Sequence, residues 1–206
     1  MGRKDAINDW NELIPGIIGG RKDDFALIVD KYQGMVFRTC MGYLHDQNGA
    51  EDLTQEVFIQ AYLSLRNFRG GSSLSTWLYR ITVNACLNSI RKQRRTYGLS
   101  GNGSVQDPFS VNPATLSELT DPDDPETVMI REEHSKWLRG VLDALPENQR
   151  TAFILSKYDD LSQKEIAEVM ELSEGAVESL ISRAKENLRK KLVVYAKKSE
   201  NDRRKK

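Results

Sequence analysis

Phe25, Ile28, Val29, Tyr32, Val36 and Phe37 recur at three- and four-residue steps, the spacing of a helix with one buried face, and Asp23 or Asp24 stands where its cap belongs. Leu53, Val57, Ala61, Tyr62 and Leu65 repeat that spacing, and Asn48 with Glu51 resembles a capping box opening this second helix. The stretch NFRGGSSLS, residues 67–75, breaks the pattern with two glycines and three serines. A third helix follows, with Leu78, Ile81, Ala85 and Leu87 inward, and it finishes in Arg91, Lys92, Arg94 and Arg95. No alternating strand pattern appears along the chain.

Residues 98–130 interrupt this regularity: 20 of the 33 are Gly, Pro, Ser, Thr, Asn or Asp, too few apolar groups to offset the entropy of ordering them. Periodicity resumes near Asp124 with Pro125, a residue suited to a first helical turn. One helix is expected to run to about Leu145, and a second from Pro146 through Ala152, Phe153 and Leu155. A capping box at Ser162 and Glu165 then opens a short helix with Ile166, Ala167 and Met170 inward. After the break at 171–173, Ser173 caps a longer helix with Val177, Ile181, Ala184 and Leu188 inward, and Leu172 and Val177 are expected to fill the angle between the two. The expected fold is all-α: two small helical domains, a three-to-four-helix bundle over residues 8–97 and a four-helix domain over 129–195. A flexible linker over 98–128 joins them, and a frayed basic tail over 196–206 follows.

Charge changes the picture where composition does not. The 206 residues carry 30 basic and 30 acidic side chains, a net charge of zero that by itself argues against a nucleic-acid partner. The charges are sorted, however: residues 98–130 hold six acids and no Lys or Arg, and residues 183–206 hold eleven basic and three acidic residues. Cys40 and Cys86 lie in apolar helical patterns without CxxC spacing, and two histidines furnish no zinc cluster, so no metal or other cofactor is expected. No leader-like apolar segment or membrane-length run is present, which points to a cytoplasmic protein without membrane insertion.

The pair of helices at 161–192 has the mechanics of a helix-turn-helix, although an ordinary helical hairpin has the same apolar spacing. The polar face of its second helix offers Glu178, Ser179, Ser182, Arg183 and Lys185, followed by Arg189, Lys190 and Lys191. An arginine can read guanine, a carboxylate can accept from cytosine, and trailing basic groups can hold phosphates.

GAEDLTQEVFIQAYLSLRNFRG at 49–70 and STWLYRITVNACLNSIRKQRR at 75–95 resemble region 2 of bacterial RNA polymerase sigma factors. LPENQRTAFILSKYDDLSQKEIAEVMELSEGAVESLISRAKENLRKKL at 145–192 is similar to region 4 of the same family. Lacking a recognisable region 1.1 or a folded region 3, the chain resembles the extracytoplasmic-function (ECF) group. That resemblance implies that region 2 docks on core RNA polymerase and opens the −10 promoter element, and that region 4 binds the −35 element as duplex. Asp52, Gln55 and Glu56 are the positions implied for polymerase. Phe68 and Asn84 match the pocket for a flipped −10 base, with Arg69, Tyr79, Arg80, Asn88, Arg91, Lys92, Arg94 and Arg95 around it. Trp77 reads as core, and Tyr79 stands between core and DNA. The −35 positions are Glu178, Ser179, Ser182, Arg183 and Lys185; Glu178 and Leu180 depart from the basic residues frequent there, so no relative's −35 consensus transfers. The family further implies an anti-sigma factor as partner, an acidic linker threading toward the polymerase cleft, and no catalytic chemistry. Two rivals stay open at this point: a regulator that binds DNA without polymerase, and a nucleic-acid enzyme with a helix-turn-helix appendage.

Overall fold

A computed structural model describes residues 10–99 and 139–203 of the chain. The acidic linker beyond Leu99, the helix start at Pro125 and the last three basic residues lie outside the described residues.

The first half is a bundle of four helices: α1 (Trp10–Ile18), α2 (Phe25–Leu44), α3 (Gln47–Ser64) and α4 (Leu74–Leu99). α1 buries Leu13, Ile14 and Ile17, and its Trp10 meets Tyr32 of α2 at 5.7 Å between ring centroids. α2 ends where His45 turns left-handed at φ 55° and its N–H bonds the Met41 carbonyl, closing the last turn. α3 is capped by Asp46, not by Asn48 with Glu51 as its sequence suggested: the Asp46 carboxylate accepts from the Gly49 N–H at 2.7 Å. Asp24 occupies the cap position of α2 but makes no cap bond there, and its carboxylate pairs with Arg21 at 3.5 Å instead. A 3-10 turn over Leu65–Asn67 leads into the Phe68–Ser73 loop, whose Gly70 takes φ +70°, and Ser73 Oγ accepts from the Thr76 N–H at 3.0 Å to start α4.

The apolar stripes meet in one core. Ile28, Val36 and Tyr43 of α2, Leu53, Val57 and Ala61 of α3, and Leu78 and Cys86 of α4 are buried in it, and Phe25 packs edge-on against both Phe58 and Tyr62. Cys40 and Cys86 are buried with Sγ atoms 3.9 Å apart; the hydrogen bond to Cys40 and burial push the Cys86 thiol up, so it stays protonated.

The second half comprises a helical segment over 139–143, then α5 (Glu147–Lys157), α6 (Gln163–Met170) and α7 (Glu174–Arg203). The capping box forms as the sequence indicates: Glu165 N–H donates to Ser162 Oγ at 3.3 Å and Ser162 N–H to Glu165 Oε2 at 2.9 Å. Glu171 takes the left-handed conformation, φ 56°, that ends α6, and Ser173 caps α7 through the Ala176 N–H at 3.3 Å. Leu172, expected inside the helix angle, is 39% exposed; Val177 and Ile181 fill that space with Ile166 and Ala167. α7 continues to Arg203, through most of the stretch expected to fray.

The halves pack together. Tyr79 and Val83 of α4 share a cluster with Ala152 and Leu155 of α5, Ile166 and Val169 of α6, and Val177 and Ile181 of α7. Gly42 of α2 permits the close approach of α5, because a Cβ there would sit 3.0 Å from Ile154 Cγ2.

Candidate nucleic-acid interface

On α7 the positions Val177, Ile181, Ala184 and Leu188 are buried, which forces Glu178, Ser179, Ser182, Arg183 and Lys185 outward, and all five are exposed. Ser179 Oγ donates to the Gly175 carbonyl at 3.0 Å. Beyond this patch Arg189, Lys190 and Lys191 are exposed, and Lys190 pairs with Glu186 at 2.7 Å. The face therefore carries a guanidinium fork, hydroxyls, an acid and a basic flank, the groups needed for base edges and phosphates.

α4 offers a second polar stripe. Arg80, Asn84, Asn88, Arg91 and Arg95 follow one another at helical spacing, and Asn84, Asn88, Arg91, Lys92 and Arg95 are exposed. At its start Phe68 packs on Trp77, ring centroids 5.3 Å apart, beside exposed Arg69 and the glycines of the loop. Trp77 is half-buried against the bundle core, in line with its core reading. Tyr79 is buried under the second half, and burial pushes its phenol well above the usual range. The Arg94 side chain lies outside the described residues.

Two of the α4 arginines, Arg80 and Arg91, are occupied. Arg80 donates to the Glu168 carbonyl at 2.7 Å and pairs with Glu171 at 3.2 Å, and Arg91 clasps Glu147 with a fork of 3.1 and 2.5 Å. These contacts join residues distant in sequence, and no periodic pattern announces them.

A third surface lies on α3. Asp52, Gln55 and Glu56 are exposed as expected, and continuing the same helical face stand Ile59, 61% exposed, and Leu63, 72% exposed. The sequence reading missed these two; their signal is that both fall out of phase with the buried Leu53, Val57, Ala61 and Leu65.

Buried polar contacts join the halves. Arg150 of α5, nearly inaccessible, donates to the Tyr43 carbonyl at the C-terminal end of α2, where a cation meets the helix dipole, and pairs with Asp143 at 2.7 Å. Tyr43 Oη donates to Thr151 Oγ1 at 2.7 Å, and Thr39 Oγ1 donates to Asp159 Oδ2 at 2.9 Å. Burial pushes Asp159 up to about 6 from the ordinary 3.8, against the lowering influence of Thr39 and Arg38; Asp160, Tyr43, Tyr79, Cys40 and Cys86 also face it. A carboxyl whose folded pKa is raised adds stability below its unfolded value, and that stability is lost as pH rises through the folded value. Titrating thermal stability from about pH 4 to about pH 8 is therefore expected to show the wild-type advantage over Asp159→Asn shrinking between the ordinary 3.8 and the folded value of about 6, and levelling off above about pH 7. A constant difference would refute the assignment.

A helix-turn-helix with a polar outer face, attached to a bundle bearing an arginine and asparagine stripe, defines a two-domain DNA-binding protein. The family profiles Sigma-70 region 2 and Sigma-70, region 4 match residues 28–96 and 135–188. Among curated relatives, RNA polymerase sigma-H factor of Pseudomonas aeruginosa is 36% identical over 88% of this chain and 92% of its own length. ECF RNA polymerase sigma factor SigW of Bacillus subtilis is 33% identical over 84% and 91%. The sigma factor RpoE, solved in complex with the anti-sigma factor NepR from Bartonella quintana, shares the fold at TM-score 0.59 and 23% identity, over 83% of this chain and 98% of that one. The chain belongs to the ECF sigma factors of RNA polymerase, transcription initiation factors that direct polymerase to promoters. No helix among the described residues is long and apolar enough to cross a membrane.

Proposed function

We propose that this protein is a cytoplasmic, non-catalytic promoter-specificity subunit whose two halves, residues 8–97 and 129–195, hold different parts of one promoter across the acidic segment 98–128. What supports this most is the presence of both sigma regions in order in one chain, each with a polar face of the required chemistry. Asp52, Gln55 and Glu56, extended by Ile59 and Leu63, present an acidic and apolar face suited to core RNA polymerase. At the α4 stripe and the loop before it, Phe68 and Asn84 are assigned to a base flipped from the −10 element, with Arg69 and Asn88 beside it, whereas Tyr79 is buried under the second half and takes no part there. Arg80, Arg91, Lys92, Arg94 and Arg95 are assigned to phosphates, whose neutralisation makes binding salt-dependent. Glu178, Ser179, Ser182, Arg183 and Lys185 are assigned to the −35 duplex. The similar RpoE was solved with an anti-sigma factor, and such a partner is part of this reading.

Run-off transcription with core polymerase tests the assignment. Asn84→Ala is expected to lower strand opening, read by permanganate reactivity at unpaired thymines, more than it lowers closed-complex binding. Equal loss in both, or none, would remove Asn84 from the melting site. Arg183→Ala is expected to weaken −35-dependent promoters by about 1–3 kcal/mol while leaving the fold intact, because Arg183 is exposed and its substitution removes base readout alone. Unchanged promoter use would exclude Arg183 from base reading.

A further inference from the structure

We propose that Cys40 and Cys86 form a dithiol site at which a hydroperoxide closes a reversible disulfide between α2 and α4, displacing the strand-holding stripe of α4. The chemistry stands on the two thiols alone; its consequence for promoter opening rests on the sigma-factor reading above.

These are the only cysteines of the chain. They stand 46 positions apart, yet their sulfurs meet at 3.9 Å in the bundle core, with Cys86 donating its S–H to Cys40. That hydrogen bond holds the Cys40 thiol below its usual range against the effect of burial, and the Thr54 hydroxyl of α3 adds to it. The pair is therefore unequal: Cys40 carries the nucleophilic sulfur, and Cys86 keeps its proton. From the second half Arg150 favours charge on Cys86, while Asp159 disfavours it on both sulfurs.

Both thiols are fully buried, and burial selects the oxidant. A small neutral peroxide enters during local openings of the bundle, whereas a disulfide the size of oxidised glutathione finds no path. The Cys40 sulfur attacks hydrogen peroxide; an S–O bond forms, the O–O bond breaks, and the departing hydroxide takes the thiol proton and leaves as water. Cys86 then attacks the oxidised Cys40 sulfur, so that an S–S bond forms, the S–O bond breaks and a second hydroxide carries off the Cys86 proton as water. The electron pair lost by the two thiols reduces the one peroxide. Because the second sulfur is already in contact, ring closure outruns oxidation of Cys40 beyond the sulfenic acid. A dithiol reductant reopens the bond by exchange, the behaviour of sensing disulfides in a reducing compartment.

Closure shortens the sulfur separation from 3.9 Å to about 2.05 Å. The side chains around the pair, Val36 and Leu78 among them, are close-packed and transmit the shift to the helix backbones. Asn84 and Asn88 lie two positions either side of Cys86, on the opposite and exposed face of α4, so the displacement falls on the residues assigned to the unpaired strand.

The test uses the full chain, oxidised with hydrogen peroxide while folded, then unfolded in an alkylating reagent and weighed intact. Wild type is expected to lose two hydrogens and resist alkylation, and dithiothreitol to restore both thiols. Cys86→Ala should stop at a Cys40 sulfenic acid that dimedone captures, Cys40→Ala should not react, and oxidised glutathione should leave folded wild type unchanged. After removal of peroxide, core polymerase is added without reductant. Oxidised wild type should give several-fold less permanganate reactivity at promoter thymines than reduced wild type, with closed-complex binding unchanged; peroxide-treated Cys40→Ala should open promoters like its untreated form. Two alkylatable thiols after peroxide, a disulfide that forms only in denaturant, or equal promoter opening by oxidised and reduced wild type would each overturn the proposal. The wild-type measurements decide it even should an alanine variant fail to fold. Unchanged thiols in a chain that transcribes sink the dithiol site alone, whereas a chain that forms the disulfide but starts no transcription in either state sinks the sigma-factor reading beneath its consequence.

Discussion

Replacing Ile59 and Leu63 together by serine is expected to release the protein from core RNA polymerase while leaving its thermal stability almost unchanged. The two side chains are 61% and 72% exposed on the face of α3 that carries Asp52 and Glu56, so the folded monomer gains little from them. Burying an aliphatic side chain of this size contributes about 1.5–3 kcal/mol, so losing two at an interface costs about 3–6 kcal/mol. That corresponds to a weakening of roughly a hundred- to ten-thousand-fold. Anisotropy titration of labelled protein with core enzyme reads the effect, and unfolding should shift by no more than about 0.5 kcal/mol, as for other exposed positions. Affinity within about threefold of wild type would show that polymerase does not use this face.

Leu78→Ala is expected to have the opposite profile, a large loss of stability with no direct contact to any partner. Leu78 is fully buried on α4 in the core that α2 and α3 complete, so its truncation leaves a cavity that neighbouring helices close only in part. The expected loss is about 2–5 kcal/mol, a large share of the 5–15 kcal/mol that stabilises a typical domain. Denaturant unfolding measures it directly, and a loss below about 1 kcal/mol would mean that the helices around Leu78 are not packed as described.

The helices of both halves were legible because their apolar residues obey a 3.6-residue period, and the capping box at Ser162 was legible because both its partners are local. Where local signals competed, the reading slipped. Asp46 outranks Asn48 as the α3 cap because Gly49, three residues on, brings its N–H to the carboxylate. α1 escaped notice although Trp10, Leu13, Ile14 and Ile17 are helically spaced; Pro15 and Gly16 are poor helix residues, yet Pro15 sits at the sixth of nine positions, where it removes one internal hydrogen bond. The exposure of Asn84, Asn88, Lys92 and Arg95 on α4 and of the five α7 residues follows the sequence spacing, whereas the burial of Tyr79 and the covering of Arg80 and Arg91 do not. Glu147 and Glu171 lie 56 and 91 positions from their arginine partners, and no periodicity encodes such pairing. Ile59 and Leu63 were passed over because a sequence pattern assigns large aliphatic groups to a core, and only the three-dimensional packing shows two of them facing out.

The central claim is that this chain turns core polymerase into an enzyme that starts at chosen sites. Purified core enzyme on genomic DNA, with transcript 5′ ends mapped with and without the protein, tests it most directly. The account predicts discrete new start sites that appear with the protein and fade for Arg183→Ala; an unchanged pattern of starts, or no binding to core enzyme, would contradict it.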